Sequence, residues 1–181
     1  MTENKNISCG VSSKIFIIPA FVSAFVIIDQ FTKRLIESSF VLGERLPVIA
    51  GYFDLTYIKN RGSAFGMFSQ IDSVWIQRGF TAFTIIALII IVTLYRSMSP
   101  TDRIGKVALV MIGTGALGNL ADRIRDGAVT DFLLFYIGDH YWPAFNVADS
   151  LITTGVVFLS YALIFLGAGS DKDSSDSNGQ N

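Results

Sequence analysis

Gly118–Ser150, GNLADRIRDGAVTDFLLFYIGDHYWPAFNVADS, decides how the chain is read. It carries Asp122, Asp126, Asp131 and Asp149, with Asp139 in the bridge, between two strongly apolar segments. Charge this close to hydrocarbon is costly, and where it occurs it usually serves a function. The stretch therefore predicts polar chemistry built at the ends of membrane helices.

Composition supports a membrane setting. The 181 residues are 51% hydrophobic and only 16% charged, where a soluble domain carries about 25%. The mean hydropathy is +0.50. Net charge is −1, so no basic surface points to nucleic acid. Cys9 is the only cysteine, which excludes an intramolecular disulfide. Residues 1–13 are polar, and no cleavable leader is expected there. No internal repeat is visible.

Outward from the deciding stretch, four spans are expected, each near the ~20 residues a bilayer requires. Span one runs from Ile15 to Ile28 and its flanks, closed by Asp29, Lys33 and Arg34. Asp29 and Lys33 are four apart, acid first, and so share a helix face. The same spacing also fits a plain interfacial ion pair. Span two is Gly79 to Tyr95. After the polar hairpin Ser97–Lys106, span three is Val107 to Ala121, where Gly113, Gly115 and Gly118 permit close helix approach. Asn119, Asp122 and Arg123 share a face at its end. The connection Ile124–Tyr141 is expected to dip into the interface, and Tyr141 and Trp142 suit a membrane-interface belt. Span four is Val147 to Gly167, opened by an Asn146-to-Asp149 cap.

Between spans one and two, residues about 40–70 read differently. Phe53 to Ile58 alternates apolar and polar, a strand signal. Val48–Ala50 and Ala64–Phe68 are its candidate partners. The fold class expected is all-α: four transmembrane helices with a small extramembrane β-structured cradle between helices 1 and 2. The membrane domain covers residues 14–169, with a tail over 1–13 and a disordered Ser/Asp-rich tail over 170–181.

Alternating spans put the end of one, the start of two, the end of three and the start of four on one face. Asp29, Asn119, Asp122, Arg123, Asn146 and Asp149 sit at those ends. Asp131 and Asn60 fall in the loops of the same face. Two carboxylates in one partly dry site cannot both ionise cheaply, so such a pair holds a proton in common. One member then activates water while the other polarises a carbonyl. Asp149, in a first helical turn, is one candidate. On the sequence its partner is either Asp131 or Asp122, and Asp122 with Arg123 also reads as a structural ion pair. A relay group in a small ion or proton transporter is the rival use of such acids. Transporter sites gather near the bilayer midplane, often in repeated halves. A structural membrane subunit with solvated helix ends is a further rival.

At these residues the chain resembles the bacterial lipoprotein signal peptidases, the signal peptidase II family. Asp29…Lys33 resembles D-x-x-x-K, and Asn60-Arg61-Gly62-Ser63-Ala64-Phe65 is similar to N-x-G-[AS]-A-F. Gly118-Asn119-Leu120-Ala121-Asp122-Arg123 with Gly127, Val129 and Asp131-Phe132 resembles G-N-x-x-D-R…G-x-V-x-D-F. Phe145-Asn146-Val147-Ala148-Asp149-Ser150 resembles F-N-x-A-D-S. Ala121 and Ser63 depart from the commonest residues at their positions.

The resemblance implies an aspartic endopeptidase of the bacterial inner membrane that removes signal peptides from prolipoproteins, before a diacylglyceryl-modified cysteine. It places the catalytic pair on Asp131 and Asp149. It places supporting or substrate-binding roles on Asp29, Lys33, Asn60, Gly62, Asn119, Asp122, Arg123 and Asn146. It implies no metal or organic cofactor, a monomer among membrane lipids, and no nucleic-acid partner. It puts the site at the outer, periplasmic face and both termini in the cytoplasm. Counting Lys and Arg conflicts with this: Lys33, Arg34, Arg45, Lys59, Arg61, Arg78, Arg123 and Arg125 outnumber Arg96, Arg103 and Lys106 and favour the site facing inward.

Overall fold

The computed structural model describes residues 14–62 and 74–166. Both tails, Cys9 and the 63–73 stretch lie outside them, as do the Ser63–Phe65 part of one motif and the Ala64–Phe68 strand candidate. The elements run α1 (Lys14–Ser39), β1 (Arg45–Ile49), β2 (Phe53–Asn60), α2 (Val74–Ser97), α3 (Arg103–Asp126), β3 (Val129–Ile137), β4 (His140–Tyr141) and α4 (Val147–Tyr161). A π-helical turn, Ala162–Leu166, extends α4. All four helices are long and apolar enough to cross a membrane.

Helix α3 is the hub, packed against α1, α2 and α4. Its tightest partner is α4, and small residues explain why. A Cβ on Gly115 would strike the Ala148 carbonyl oxygen, and one on Gly155 would lie 2.8 Å from the Ala108 oxygen. With no hydrophobic force to pull helices together in lipid, such close contact is what holds them. The outward faces are apolar instead: Ile85, Ile86, Ile89 and Ile90 of α2 are all exposed.

α3 is longer than its apolar run. The Asp102 side chain caps its start by accepting from Gly105 N at 2.9 Å. Gly127 ends it in the left-handed region at φ 69°, with its N–H donating to the Arg123 oxygen. The helix thus carries Asp122 and Arg123 inside its last turns, above the expected end at Ala121.

The strand expected at Phe53–Ile58 is present, and the Val48 region pairs with it in β1. The connection Ile124–Tyr141 has regular structure throughout much of its length: it finishes α3 and then forms β3 and β4. The sheet, in antiparallel order β1-β2-β3-β4, thus draws half its strands from between α3 and α4. Strand β3 lacks alternation because its first four residues are buried on both faces, a pattern the period-2 rule cannot find.

Candidate active site

Lys33 and Asp29 lie on one face of α1, as the i, i+4 spacing demands. The pair is not interfacial. Lys33 is 0% exposed, and its ammonium meets Asp29 Oδ2 at 2.8 Å, Asp122 Oδ2 at 2.8 Å and Asn119 Oδ1 at 3.0 Å. An ammonium has three protons, and each finds an acceptor. Asp122 is therefore paired to Lys33 on another helix rather than to its neighbour Arg123. The second oxygen of Asp29 accepts from Ala148 N at 2.9 Å, in the first turn of α4. That satisfies one of the orphan donors every helix start exposes. Gly118 makes room: a Cβ there would sit 2.6 Å from Asp29 Oδ2.

Asn119 passes this order on. Its oxygen faces Lys33, and its amide donates to Asp149 Oδ1 at 2.7 Å. Asn146 is the N-cap of α4, its oxygen accepting from Asp149 N at 2.9 Å. Its amide donates to Asp131 Oδ1 at 2.7 Å and reaches Asn119 Oδ1 at 3.3 Å. Asn60, at the end of β2, donates to Asp131 Oδ2 at 3.0 Å. Its own oxygen accepts from Gly62 N at 2.9 Å, closing a short side-chain turn. Gly62 holds φ 105°, and a Cβ there would enter the Phe80 ring. This turn needs glycine for both reasons.

Two carboxylates result, each held by asparagine amides. Asp131 sits on β3 rather than in a loop, and is 2% exposed. Asp149 stands in the first turn of α4, where the helix dipole favours an anion. Burial first, then the charge of Asp149, pushes the Asp131 carboxyl up to about 7, against the hydrogen bonds from Asn60 and Asn146. Asp122, by contrast, spends its oxygens on Lys33, Gln30 Nε2 at 2.8 Å and Thr130 N at 3.2 Å. Arg123 points toward the same region, and Asp149, Asp131 and Asp122 all act electrostatically on it. Its Nη1 reaches Thr84 Oγ1 of α2 at 3.5 Å.

At the far end of β3 and around β4 lies an apolar cleft of about 620 Å³, lined by Tyr52, Phe135, Tyr136, Ile137, His140, Tyr141, Trp142 and Phe145. Phe135 stacks between Phe53 and Phe145. Among the described residues no group of three His, Cys, Asp or Glu side chains is arranged to hold a metal ion.

Gln30, Glu37 and Thr130 were missed in the sequence. Gln30, Lys33 and Glu37 follow i, i+3, i+7 and form one polar stripe on α1, a signal that was there to be read.

The profile of the family described as Signal peptidase (SPase) II matches residues 21–165. The chain belongs to the signal peptidase II family. Its relatives include the lipoprotein signal peptidase of Desulforapulum autotrophicum, 47% identical over 147 residues that span 80% of this chain and 90% of the relative. The lipoprotein signal peptidase of Syntrophus aciditrophicus is 44% identical over 139 residues, 77% and 86% of the two chains. A bacterial membrane enzyme solved by the in meso method at 2.3 Å superposes with TM-score 0.72 at 31% identity, covering 92% of this chain and 94% of that one. Family and helices together make this chain a multi-pass bacterial membrane protease of lipoprotein processing.

Proposed function

We propose that the chain is an aspartic endopeptidase that removes signal peptides from prolipoproteins, cleaving before a diacylglyceryl-modified cysteine, with Asp131 and Asp149 as the catalytic residues. One observation carries the reading. A buried carboxylate, Asp131, and a half-buried one, Asp149, from different elements are aimed by Asn60, Asn119 and Asn146, and Asp131 is held near pH 7 between its two forms.

The reaction follows from that arrangement. Asp149 enters ionised and takes a proton from a water, whose oxygen attacks the scissile carbonyl carbon. Asp131 enters protonated and gives its proton to the carbonyl oxygen. The tetrahedral diol collapses as Asp149 returns its proton to the leaving amine and Asp131 recovers one from the diol. Each carboxylate ends as it began, and one water is consumed. Lys33, Asp29 and Asp122 hold Asn119, and through it Asp149, without touching substrate. The aromatic cleft supplies an apolar wall, and the sheet edge offers strand pairing to an extended peptide.

The site faces outward, both termini are cytoplasmic, and the enzyme works as a monomer in lipid. The basic count on the site face still exceeds that of the hairpin when the acid-paired Lys33, Lys59 and Arg125 are set aside, and it favours the opposite orientation. The outward one rests on the substrate, whose lipid-modified cysteine is reached at the outer leaflet. The test is cleavage by the purified chain of a precursor with and without diacylglycerol on its cysteine. The modified precursor should be cut just before that cysteine, as read by mass spectrometry. Cleavage elsewhere, or equal cleavage of the bare precursor, overturns the substrate assignment. Cysteines placed at Gly51 and Ser99 in a Cys9→Ser chain report the face. Gly51 alone should react with an impermeant thiol reagent in intact cells, and the reverse pattern overturns the topology.

A further inference from the structure

Outside the catalytic constellation, a second polar cluster joins four elements at a single atom. Glu37 Oε1, near the end of α1, accepts from Lys59 Nζ of β2 at 2.8 Å. It also accepts from Arg125 Nη2 of α3 at 2.7 Å and from Thr130 Oγ1 of β3 at 2.6 Å. Asp126 closes the cluster through Lys59 and Arg125.

The register gives this cluster its meaning. Lys59 pairs with Thr130 across β2 and β3, and Asn60 pairs with Val129. Lys59 thus adjoins Asn60, which donates to Asp131, and Thr130 adjoins Asp131 itself. Successive residues of a strand face opposite ways. Thr130 turns its hydroxyl to Glu37 while Asp131 turns its carboxyl to the site. Thr130 is 0% exposed. Its backbone is pinned as well: its N–H donates to Asp122 Oδ2 at 3.2 Å, and its carbonyl accepts from Asn146 Nδ2 at 3.2 Å.

We infer that Glu37 and Thr130 are positioning residues for the hydrolysis: the Glu37–Thr130 hydrogen bond fixes the depth and rotation of β3, and so the aim of the Asp131 carboxyl at the scissile carbonyl. This rests on the reading of Asp131 as catalytic. The bond is charge-assisted, short and sheltered, the class that contributes most per bond. A site that depends on aim loses rate to small misplacements. Asp131 adjoins Thr130, whereas the part of β3 that lines the cleft, residues 135–137, begins five residues beyond Thr130 along the strand. The misplacement is greatest at Asp131, so the effect falls on kcat and leaves KM nearly unchanged.

The experiment compares Thr130→Val, Thr130→Ser and Glu37→Gln in the purified full chain, cleaving a diacylglyceryl-modified precursor. Thr130→Val keeps the shape and removes the hydroxyl. Its kcat should fall at least about tenfold, with KM within about twofold of the parent. Thr130→Ser should restore kcat to within about threefold, since it returns the donor. Glu37→Gln keeps an oxygen acceptor without its charge and should fall between them. Unchanged kcat in Thr130→Val and Glu37→Gln overturns the inference. So does a loss in Thr130→Val that appears in KM, or one that Thr130→Ser leaves in place. If Thr130→Val fails to fold, Glu37→Gln against Thr130→Ser decides by the same kcat criterion. The parent reading fails separately, through an active Asp131→Asn.

Discussion

Replacing Lys33 by Met is the sharpest test of how the site is held up. The substitution keeps an unbranched chain of similar length and deletes the ammonium. It strands Asp29 and Asp122, which are 1% and 0% exposed and both 2.8 Å from Lys33 Nζ. Removing one partner of a buried ion pair costs about 3–5 kcal/mol, because the other charge stays buried without compensation. Here two carboxylates lose the same cation, so the upper part of that range applies. Partial relief comes from Ala148 N on Asp29 and from Gln30 and Thr130 N on Asp122. For a chain of this size each kcal/mol moves Tm by about 2–4 °C, so about 4–5 kcal/mol gives a fall of about 8–20 °C. Scanning fluorimetry of the detergent-purified chain reads it. Adding Asp29→Asn and Asp122→Asn should recover at least half of the loss, since an uncharged trio no longer holds a bare anion. Lys59→Met is the control: Arg125 still binds both of its acids, so its Tm should fall by less. A Lys33→Met chain within about 2 °C of the parent refutes the claim that this buried triad supports the site.

Two further outcomes follow from the geometry. Gly62→Ala forces a Cβ at φ 105° into the Phe80 ring; the turn that aims Asn60 should shift, and cleavage should drop at least about tenfold with the helices intact by circular dichroism. The second concerns pH. Asp131 is raised to about 7, so its proton is present below that value and lost above it, and kcat/KM should decline on the basic side with a midpoint near 7. The same shift makes the fold bind a proton more tightly than the unfolded chain does. Asp131 therefore favours the fold below about pH 4, and that advantage fades as pH rises to about 7. Asp131→Asn should flatten this part of the Tm-against-pH curve, and an unaltered curve contradicts the assignment.

Much of the site was legible because its signals are local. The i, i+4 spacing of Asp29 and Lys33, the cap formed by Asn146 on Asp149 and the alternation of Phe53–Ile58 each reflect contacts within a turn or a strand. What escaped depends on contacts distant in the chain. Asp122 and Asp131 are the same residue type nine positions apart, and only the approach of α1 decides that Asp122 belongs to Lys33. Strand β3 escaped because burial on both faces erases the alternation that marks a strand. Glu37 gains its place only where β2, β3 and α3 meet at its oxygen, contacts distant in the chain.

The central claim is that Asp131 and Asp149 act as one unit, and a double-mutant comparison measures it most directly. Cleavage of a diacylglyceryl-modified precursor is followed for Asp131→Asn, Asp149→Asn and the double variant, each purified at parental yield and with parental helix content. Each single variant should lose nearly all turnover, and the double variant should be little worse than either, because removing one member already disables the pair. Near-parental turnover by either single variant contradicts the account. An inactive Asp122→Asn that keeps its fold, beside an active Asp131→Asn, would transfer the chemistry to Asp122.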